Sequence, residues 1–340
     1  MKEINNIQFN IRPANVEDIP KIHALEEKKS LHYHGVPGFS LEILQNAYAE
    51  PDFKIENSIH LVEDKEGNLV AEVEVWDQDN LPVHPFVWLA LDPNFEGEWL
   101  EDYLLDWAEK RALEALDRVE PELRVSLRSQ SIHENKYSIN AKLAAGYKLI
   151  RHSFRMSIEM EELPPVPIWP EGISLRMYDP DKDDRDVFKV DDEVFQDHFG
   201  YVEEPPEEGF KKFMHHMTGG DRYDPLLWYL AVAGEEIVGI CLGSKYGFED
   251  KESGWISSLG VKRAWRRQGI ALGLLQVAFG EFYTRGQKKV GLGVDAESLT
   301  GATDLYKKAG MSILRQFDLF EKELRPGIEV SVTSLEASES

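Results

Sequence analysis

The 340 residues, 42% hydrophobic and 29% charged, suffice for more than one packed core, and the single cysteine, Cys241, excludes an intrachain disulfide framework and argues against a zinc cluster. A net charge of -24 sets the average surface against phosphate backbones and anionic lipid, so neither nucleic acid nor a membrane is expected as a main partner, and an anionic ligand must bind at a local exception. No run approaches the ~20 apolar residues of a membrane span, and the opening MKEINNIQFN lacks the basic start and apolar core of a secretion signal, which predicts a cytoplasmic protein. The sequence does not choose between a monomer and a homodimer.

In chain order, FNIRPANVEDIPKIHALEE reads as a strand, an acidic turn and an amphipathic helix, followed by HYHGVPGF as a loop. IHLVEDKEGNLVAEVEVW reads as a hairpin, and PFVWLALDPNFEGEWLEDYLLDWAEKRALEAL as a strand running into a helix. LRVSLRSQSIHENKYSINAKLAAGYKLIRHSFRMSIEM is strand, polar loop, helix and closing strand, with Gly146 suited to a left-handed helix cap.

After the proline-rich ELPPVPIWPEG the same order returns. ISLRMYDPDKDDRDVFKVDDEVF, LWYLAVAGEEIVGICLGS, GWISSLGVKRAWRRQGIALGLLQVAFGEFYTRG and KKVGLGVDAESLTGATDLYKKAGMSILRQFDLFEKEL match the earlier segments, with Gly310 in the place of Gly146. Arg12 faces Arg176 at an offset of 164 residues and Leu91 faces Val261 at an offset of 170. The chain therefore reads as two tandem domains, 1–162 and 173–325, joined by a linker over 163–172 and followed by a flexible tail over 326–340.

In the second repeat the apolar run ends at Val261 and helical spacing resumes at Ile270, Leu274, Leu275 and Ala278. Between them stand Lys262, Arg263, Arg266 and Arg267, then Gln268, Gly269, Ile270 and Ala271. A helix start offers unpaired backbone N–H groups and partial positive charge, Gly269 allows close approach, and the four cations supply charge lacking elsewhere. A phosphate or pyrophosphate is the simplest ligand, although a basic turn beside a glycine is often only a solvated loop.

This order of elements, with its Arg-x-x-Gly-x-Ala turn and a later Leu-Tyr-x-x-x-Gly, resembles the GNAT superfamily of acetyl-CoA-dependent N-acetyltransferases, well over 173–325 and in outline over 9–162. The tandem arrangement, with VFQDHFGY and GVDAESLTGATDLYKKAGM, looks most like the mycothiol synthase-like branch of double GNAT proteins.

The resemblance implies an α/β fold with a mixed α+β sheet. It consists of two tandem GNAT-type domains, each a mostly antiparallel twisted sheet flanked by helices, with a splayed central strand pair. It implies acetyl-CoA as co-substrate, no metal, and transfer to a primary amine of a small molecule or peptide by direct attack. Arg266 to Ala271, including Arg267, Gln268, Gly269 and Ile270, would grip the pyrophosphate. Leu259 and Val261 would meet the oxyanion and the pantetheine arm, and Tyr306 would protonate the departing thiolate. Ser298 stands where an asparagine usually contacts coenzyme A.

For the base, the strand before the turn offers only Ser257 and Ser258, which can orient a water. Asp197 and His198 are the best substitutes, with water-mediated deprotonation as an alternative. A non-catalytic acyl-CoA-binding protein and mycothiol synthase-type acetylation of a cysteinyl aminosugar are the competing functions.

The first repeat opposes Glu96, Gly97, Glu98, Trp99, Leu100 and Glu101 to the basic turn, and Lys142 to Tyr306. Carboxylates repel a pyrophosphate and Trp99 removes the glycine, so this repeat is expected to be degenerate and the C-terminal domain active. The histidines of LHYHG and MHHM lack spaced partners for a metal, and Cys241, Trp228 and Trp255 read as core residues.

Overall fold

The computed structural model describes residues 2–4, 7–50, 52–97, 99–248, 250–298 and 301–334. Strands β1 (Lys2–Ile4) and β2 (Ile7–Pro13) lead into helix α1 (Ile19–His34), followed by α2 (Leu41–Tyr48), α3 (Ile55–Ser58) and a hairpin of β3 (Ile59–Glu63) and β4 (Leu69–Trp76). Strand β5 (Phe86–Leu91), α4 (Leu100–Ala112), β6 (Val125–Ile132), α5 (Lys136–Ala144) and β7 (Lys148–Glu159) complete the first repeat. The loop expected at HYHGVPGF begins later than anticipated, because His32, Tyr33 and His34 form the last turn of α1, which Gly35 ends at φ 68.

The second repeat runs β8 (Ile173–Met177), α6 (Asp184–Phe195), α7 (Pro206–Thr218), β9 (Trp228–Ala233), β10 (Glu236–Ser244), β11 (Gly254–Val261), α8 (Ile270–Thr284), β12 (Lys289–Asp295), α9 (Ala302–Lys308) and β13 (Ser312–Arg325). The matching arginines have matching work. Arg12 pairs with Asp18 at 2.7 Å and Arg176 with Asp183 at 2.6 Å, each tying a strand to the turn that starts its helix.

The compact units are not the two repeats. One comprises Met1–His152 with Phe317–Val330, the other Ser153–Gln316 with Ser331–Ser340. In the first unit, β1 to β5 pair antiparallel in sequence order, β5 and β6 pair parallel, and β6 pairs antiparallel with the Phe317–Arg325 stretch of β13. In the second, β8, β9, β10 and β11 are antiparallel, β11 and β12 parallel, and β12 takes Ser153–Glu159 of β7.

Each repeat's closing strand thus serves the other unit's sheet, which moves the divisions away from 162 and 326. Packing accounts for the choice: Phe320 on β13 is buried with Leu127 of β6, and Met156 on β7 with Leu292 of β12. Two further expectations change. The tail is not free at 326, since Ile328 exchanges backbone hydrogen bonds with the Glu122–Arg124 segment and Val332 with Gly200 and Tyr201; residues 335–340 lie outside those described. The linker lies against α8, where a Cβ on Gly273 would stand 3.1 Å from the Trp169 ring.

The first unit's core gathers Val73, Val75, Leu104 and Leu105. In the second unit α8 buries Leu274, Leu275 and Phe279 on one face of the sheet, with Cys241 there as a free buried thiol. On the other face α6 sets Val187, Val190 and Val194 against Trp228, Ile240 and Leu242. Among the described residues no helix is long and apolar enough to cross a membrane.

Candidate active site

Strands β11 and β12 pair only where Gly254–Ile256 meets Val290–Leu292, and beyond that point they part. The opening between them is a cleft of about 490 Å³ lined by β11 from Ile256 to Val261, the start of α8, the end of β12, and α9. Lys262 N–H bonds to Val238 O on β10, and peptide groups alternate sides along an antiparallel strand, so those of Val261 and Leu259 turn away from β10 toward the cleft. The Val261 carbonyl accepts a bond from Arg266 Nε at 3.0 Å, which leaves its N–H and the Leu259 peptide facing the opening.

The basic turn is built as a backbone cradle. Arg267 adopts φ 64 and Gly269 φ 89, two left-handed residues in succession but one, and Gly269 caps α8 with no side chain bonding its first amides. The first bond of the helix runs from Gly273 N–H to Gly269 O at 3.0 Å, so the amides ahead of it project from the helix end. A Cβ on Gly269 would meet nothing within 4 Å, which means the space over the turn is open. Non-glycine residues reach the left-handed region only at a cost, and Arg267 there marks the turn as held by its surroundings.

The four cations divide their work. Lys262 pairs with Glu193 and Glu236, each at 3.2 Å, while Arg263 and Arg266 both bond Asp197, Arg266 at 2.6 Å. Arg267 lines the cleft near Gly301, and Gln268, expected to grip a ligand, is exposed and away from the lining. Charge at this site therefore comes from the backbone cradle and Arg267 more than from four free side chains.

Tyr306 is buried among core residues and lines the cleft. Burial, then the neighbouring Cys241, raises its phenol above the ordinary value, so it stays protonated at neutral pH. Among the described residues its hydroxyl bonds to no protein group. The backbone fixes it: Gly310 at φ 93 ends α9, and Met311 N–H bonds to Tyr306 O at 3.0 Å. Ser298 also lines the cleft, and its hydroxyl accepts from Ala302 N–H, the first amide of α9, at 3.4 Å.

The expected proton acceptors separate. Asp197 anchors two arginines; burial works to raise its carboxyl, but the bonds from Arg263 and Arg266 hold it below the ordinary range. His198 lines the cleft edge-on to Phe195, and burial lowers its imidazole below the ordinary value, with Asp295 opposing. Ser258 lines the cleft and donates to Asp191 Oδ1 on α6 at 2.5 Å.

Sequence reading missed Asp191. Burial pushes its carboxyl up to about 6, opposed by the Ser258 bond. A signal was present, since Asp191 shares helical spacing with Val187, Val190 and Val194, an acid on an apolar stripe.

In the first unit the corresponding positions are filled. Trp99 starts α4 at φ -79 and packs edge-on against Phe9 at 5.8 Å and Tyr103 at 5.5 Å. Lys142 is fully buried, donating to Ser138 Oγ at 2.8 Å and standing 3.9 Å from buried Glu101. Burial lowers Lys142 to about 8 and raises Glu101, each partly offset by the other. Glu96 accepts a bond from Tyr33, and Glu98 lies outside the described residues. Among the described residues no group of three His, Cys, Asp or Glu side chains could hold a metal ion.

Known proteins share this architecture. A tandem GNAT protein from the clavulanic acid biosynthesis pathway has the same fold at a TM-score of 0.70, with 14% identity over 94% of this chain and 100% of its own. Residues 189–311 match the acetyltransferase (GNAT) family. A crystal structure of a GCN5-related N-acetyltransferase from Sphaerobacter thermophilus is 33% identical, covers 96% of this chain and 98% of its own, and aligns at a TM-score of 0.79.

The chain belongs to the GCN5-related N-acetyltransferase (GNAT) family. It is also 26% identical over 168 residues to the mycothiol acetyltransferase of Streptomyces scabiei, a match that takes in 48% of this chain and 51% of the relative. The chain spans about half the length of the curated relatives it matches.

Proposed function

We propose that the chain transfers the acetyl group of acetyl-CoA to a primary amine of a small molecule or peptide, in the cleft of the second unit. One observation carries this reading: the left-handed turn at Gly269 and the protonated hydroxyl of Tyr306 line the same cleft. The fit of the coenzyme is supported by the open space over Gly269 and by the uncapped end of α8. Bound there, acetyl-CoA would supply a thioester carbonyl activated toward attack by nitrogen.

The amides of Ile270 to Leu272 would hold the pyrophosphate, with Arg267 beside them. The Leu259 and Val261 N–H groups would orient the pantetheine arm and bond the carbonyl oxygen as it gains charge. Tyr306 would give its proton to the departing sulfur, a role typically worth on the order of 10² to 10⁴ in rate. His198, neutral at physiological pH and on the cleft wall, can accept a proton directly or from a water.

We take the first unit to have lost coenzyme binding, because Trp99 fills the helix start and the Lys142–Glu101 pair fills the position of the tyrosine. Likeness to the mycothiol acetyltransferases favours a cysteinyl aminosugar as one acceptor to try.

Calorimetric titration of acetyl-CoA into the wild type and Gly269→Glu tests the coenzyme site. One site in the wild type, lost in the variant, is expected, and two sites would sink the claim that the first unit is degenerate. Coenzyme release is then followed with a cysteinyl aminosugar, a polyamine and a lysine peptide as acceptors. Binding without turnover of any amine would leave a non-catalytic acyl-CoA-binding protein.

A further inference from the structure

A bulge on β11 re-aims the strand at the cleft floor. Leu242 of β10 faces Ser258 but the next residue, Gly243, faces Ile256, so Ser257 is an extra residue and the alternation flips there. Ile256, Leu259 and Val261 therefore pack on the α8 face, while Ser258 and Gly260 turn to α6, where a Cβ on Gly260 would meet Val194 at 2.2 Å. The bulge delivers the Ser258 hydroxyl to a helix that carries a carboxylate.

That carboxylate has no structural excuse. Among the described residues no cation pairs with Asp191, and its bond is to the Ser258 hydroxyl. The groups around it are few. Asp192 on its own helix raises its affinity for a proton, and Ser258 on β11 lowers it. The cluster on this face of the sheet is apolar, with Ile240 and Leu242 from β10 and Phe213 and Met217 from α7. On α7, Lys212 pairs with Glu204 at 2.7 Å, and His216 is lowered by burial, then by His215 and Lys212. An unpaired carboxylate in apolar surroundings is a costly choice for packing alone.

Resting on the acetyl-transfer reading, we propose that Asp191, acting through the hydroxyl of Ser258, takes up the proton that the acceptor amine loses. The hydroxyl's one hydrogen is committed to Asp191, and its oxygen keeps lone pairs to accept an N–H in the cleft. As the C–N bond forms and the C–S bond breaks, Ser258 takes the nitrogen's proton and passes its own to Asp191. Tyr306 protonates the sulfur and regains a proton from solvent, and the Asp191 proton returns to solvent, so no proton is gained or lost over the cycle. The net products are the N-acetyl amine and the free thiol. Burial sets Asp191 at about 6, so it is deprotonated and able to accept at neutral pH.

The test is the pH profile of kcat/KM for the wild type, Asp191→Asn, Ser258→Ala, the double variant and His198→Gln. It uses whichever of the three acceptors above the wild type acetylates fastest, with acetyl-CoA affinity measured on each variant. Asp191→Asn and Ser258→Ala are each expected to lower kcat about 10²-fold, with the double variant no slower than either. Coenzyme affinity is expected to stay unchanged.

The acidic limb of the profile should disappear in Asp191→Asn and survive in His198→Gln. The reverse pattern assigns the proton to His198 and overturns the proposal. If Asp191→Asn does not fold, Ser258→Ala decides, and full activity in it is equally fatal. Wild-type turnover that ignores both substitutions sinks this inference alone, whereas acetyl-CoA binding without turnover of any amine sinks the acetyl-transfer reading and this inference with it.

Discussion

Lys142 and Tyr306 hold one backbone position in two helices. Each gives its carbonyl to the amide five residues on, from Tyr147 and Met311, at 3.0 Å in both cases, behind a glycine at φ 90 or φ 93. Their side chains meet opposite surroundings: Lys142 is closed off beside Glu101, and Tyr306 faces a cleft. Tyr306→Phe should therefore lower kcat by about 10²-fold or more while leaving acetyl-CoA affinity and thermal stability near wild type. Steady-state kinetics beside a thermal melt check this, and an unchanged kcat would remove Tyr306 from the reaction.

Asp197 holds two arginines of the coenzyme turn, Arg266 at 2.6 Å. Asp197→Asn should loosen the turn rather than remove a base, weakening acetyl-CoA binding by about 1–2 kcal/mol with little change in the pH profile. Calorimetry separates the two roles. Intact affinity with a lost acidic limb would restore Asp197 as a proton acceptor.

Gly260 is fixed by crowding, since an added Cβ would lie 2.2 Å from Val194 on α6. Gly260→Ala should cost about 1–3 kcal/mol by overpacking, and Val194→Ala in the same chain should recover part of that loss. Urea denaturation of the two single variants and the double variant gives the coupling. Simple additivity would show that the helix yields freely.

Arg12 joins Asp18 and Glu63 at 2.7 and 2.8 Å. Its bond is the largest influence on Glu63, holding that carboxyl at about 2. A depressed carboxyl contributes stability above its ordinary range and loses it as pH falls toward the folded value. Arg12→Met should then destabilise the chain by roughly 2 kcal/mol at pH 7, with the deficit shrinking between about pH 5 and pH 2. Denaturation curves across that range follow it, and a deficit independent of pH would assign the loss to packing.

Local signals carried far in this chain. The left-handed glycines Gly146 and Gly310, the hairpins, and the apolar spacing of Leu274, Leu275 and Ala278 all read correctly because each depends on neighbours within a turn or two. The basic turn was visible for the same reason. What its side chains do was not, since Lys262 finds partners on α6 and β10, and Arg263 and Arg266 meet Asp197 just past the end of α6, all distant in sequence.

The sequence by itself determined the doubled order of elements, the glycine-capped ends of α5 and α9, and the turn that presents backbone amides, because these follow from local periodicity and backbone preference. Only the tertiary structure decided which sheet each closing strand joins, because strands of like alternation carry no address and burial of Phe320 or Met156 selects the partner. It also decided that Ser258 reaches Asp191. That contact depends on one extra residue in β11 and on α6 lying across it, two facts that no short window of sequence contains.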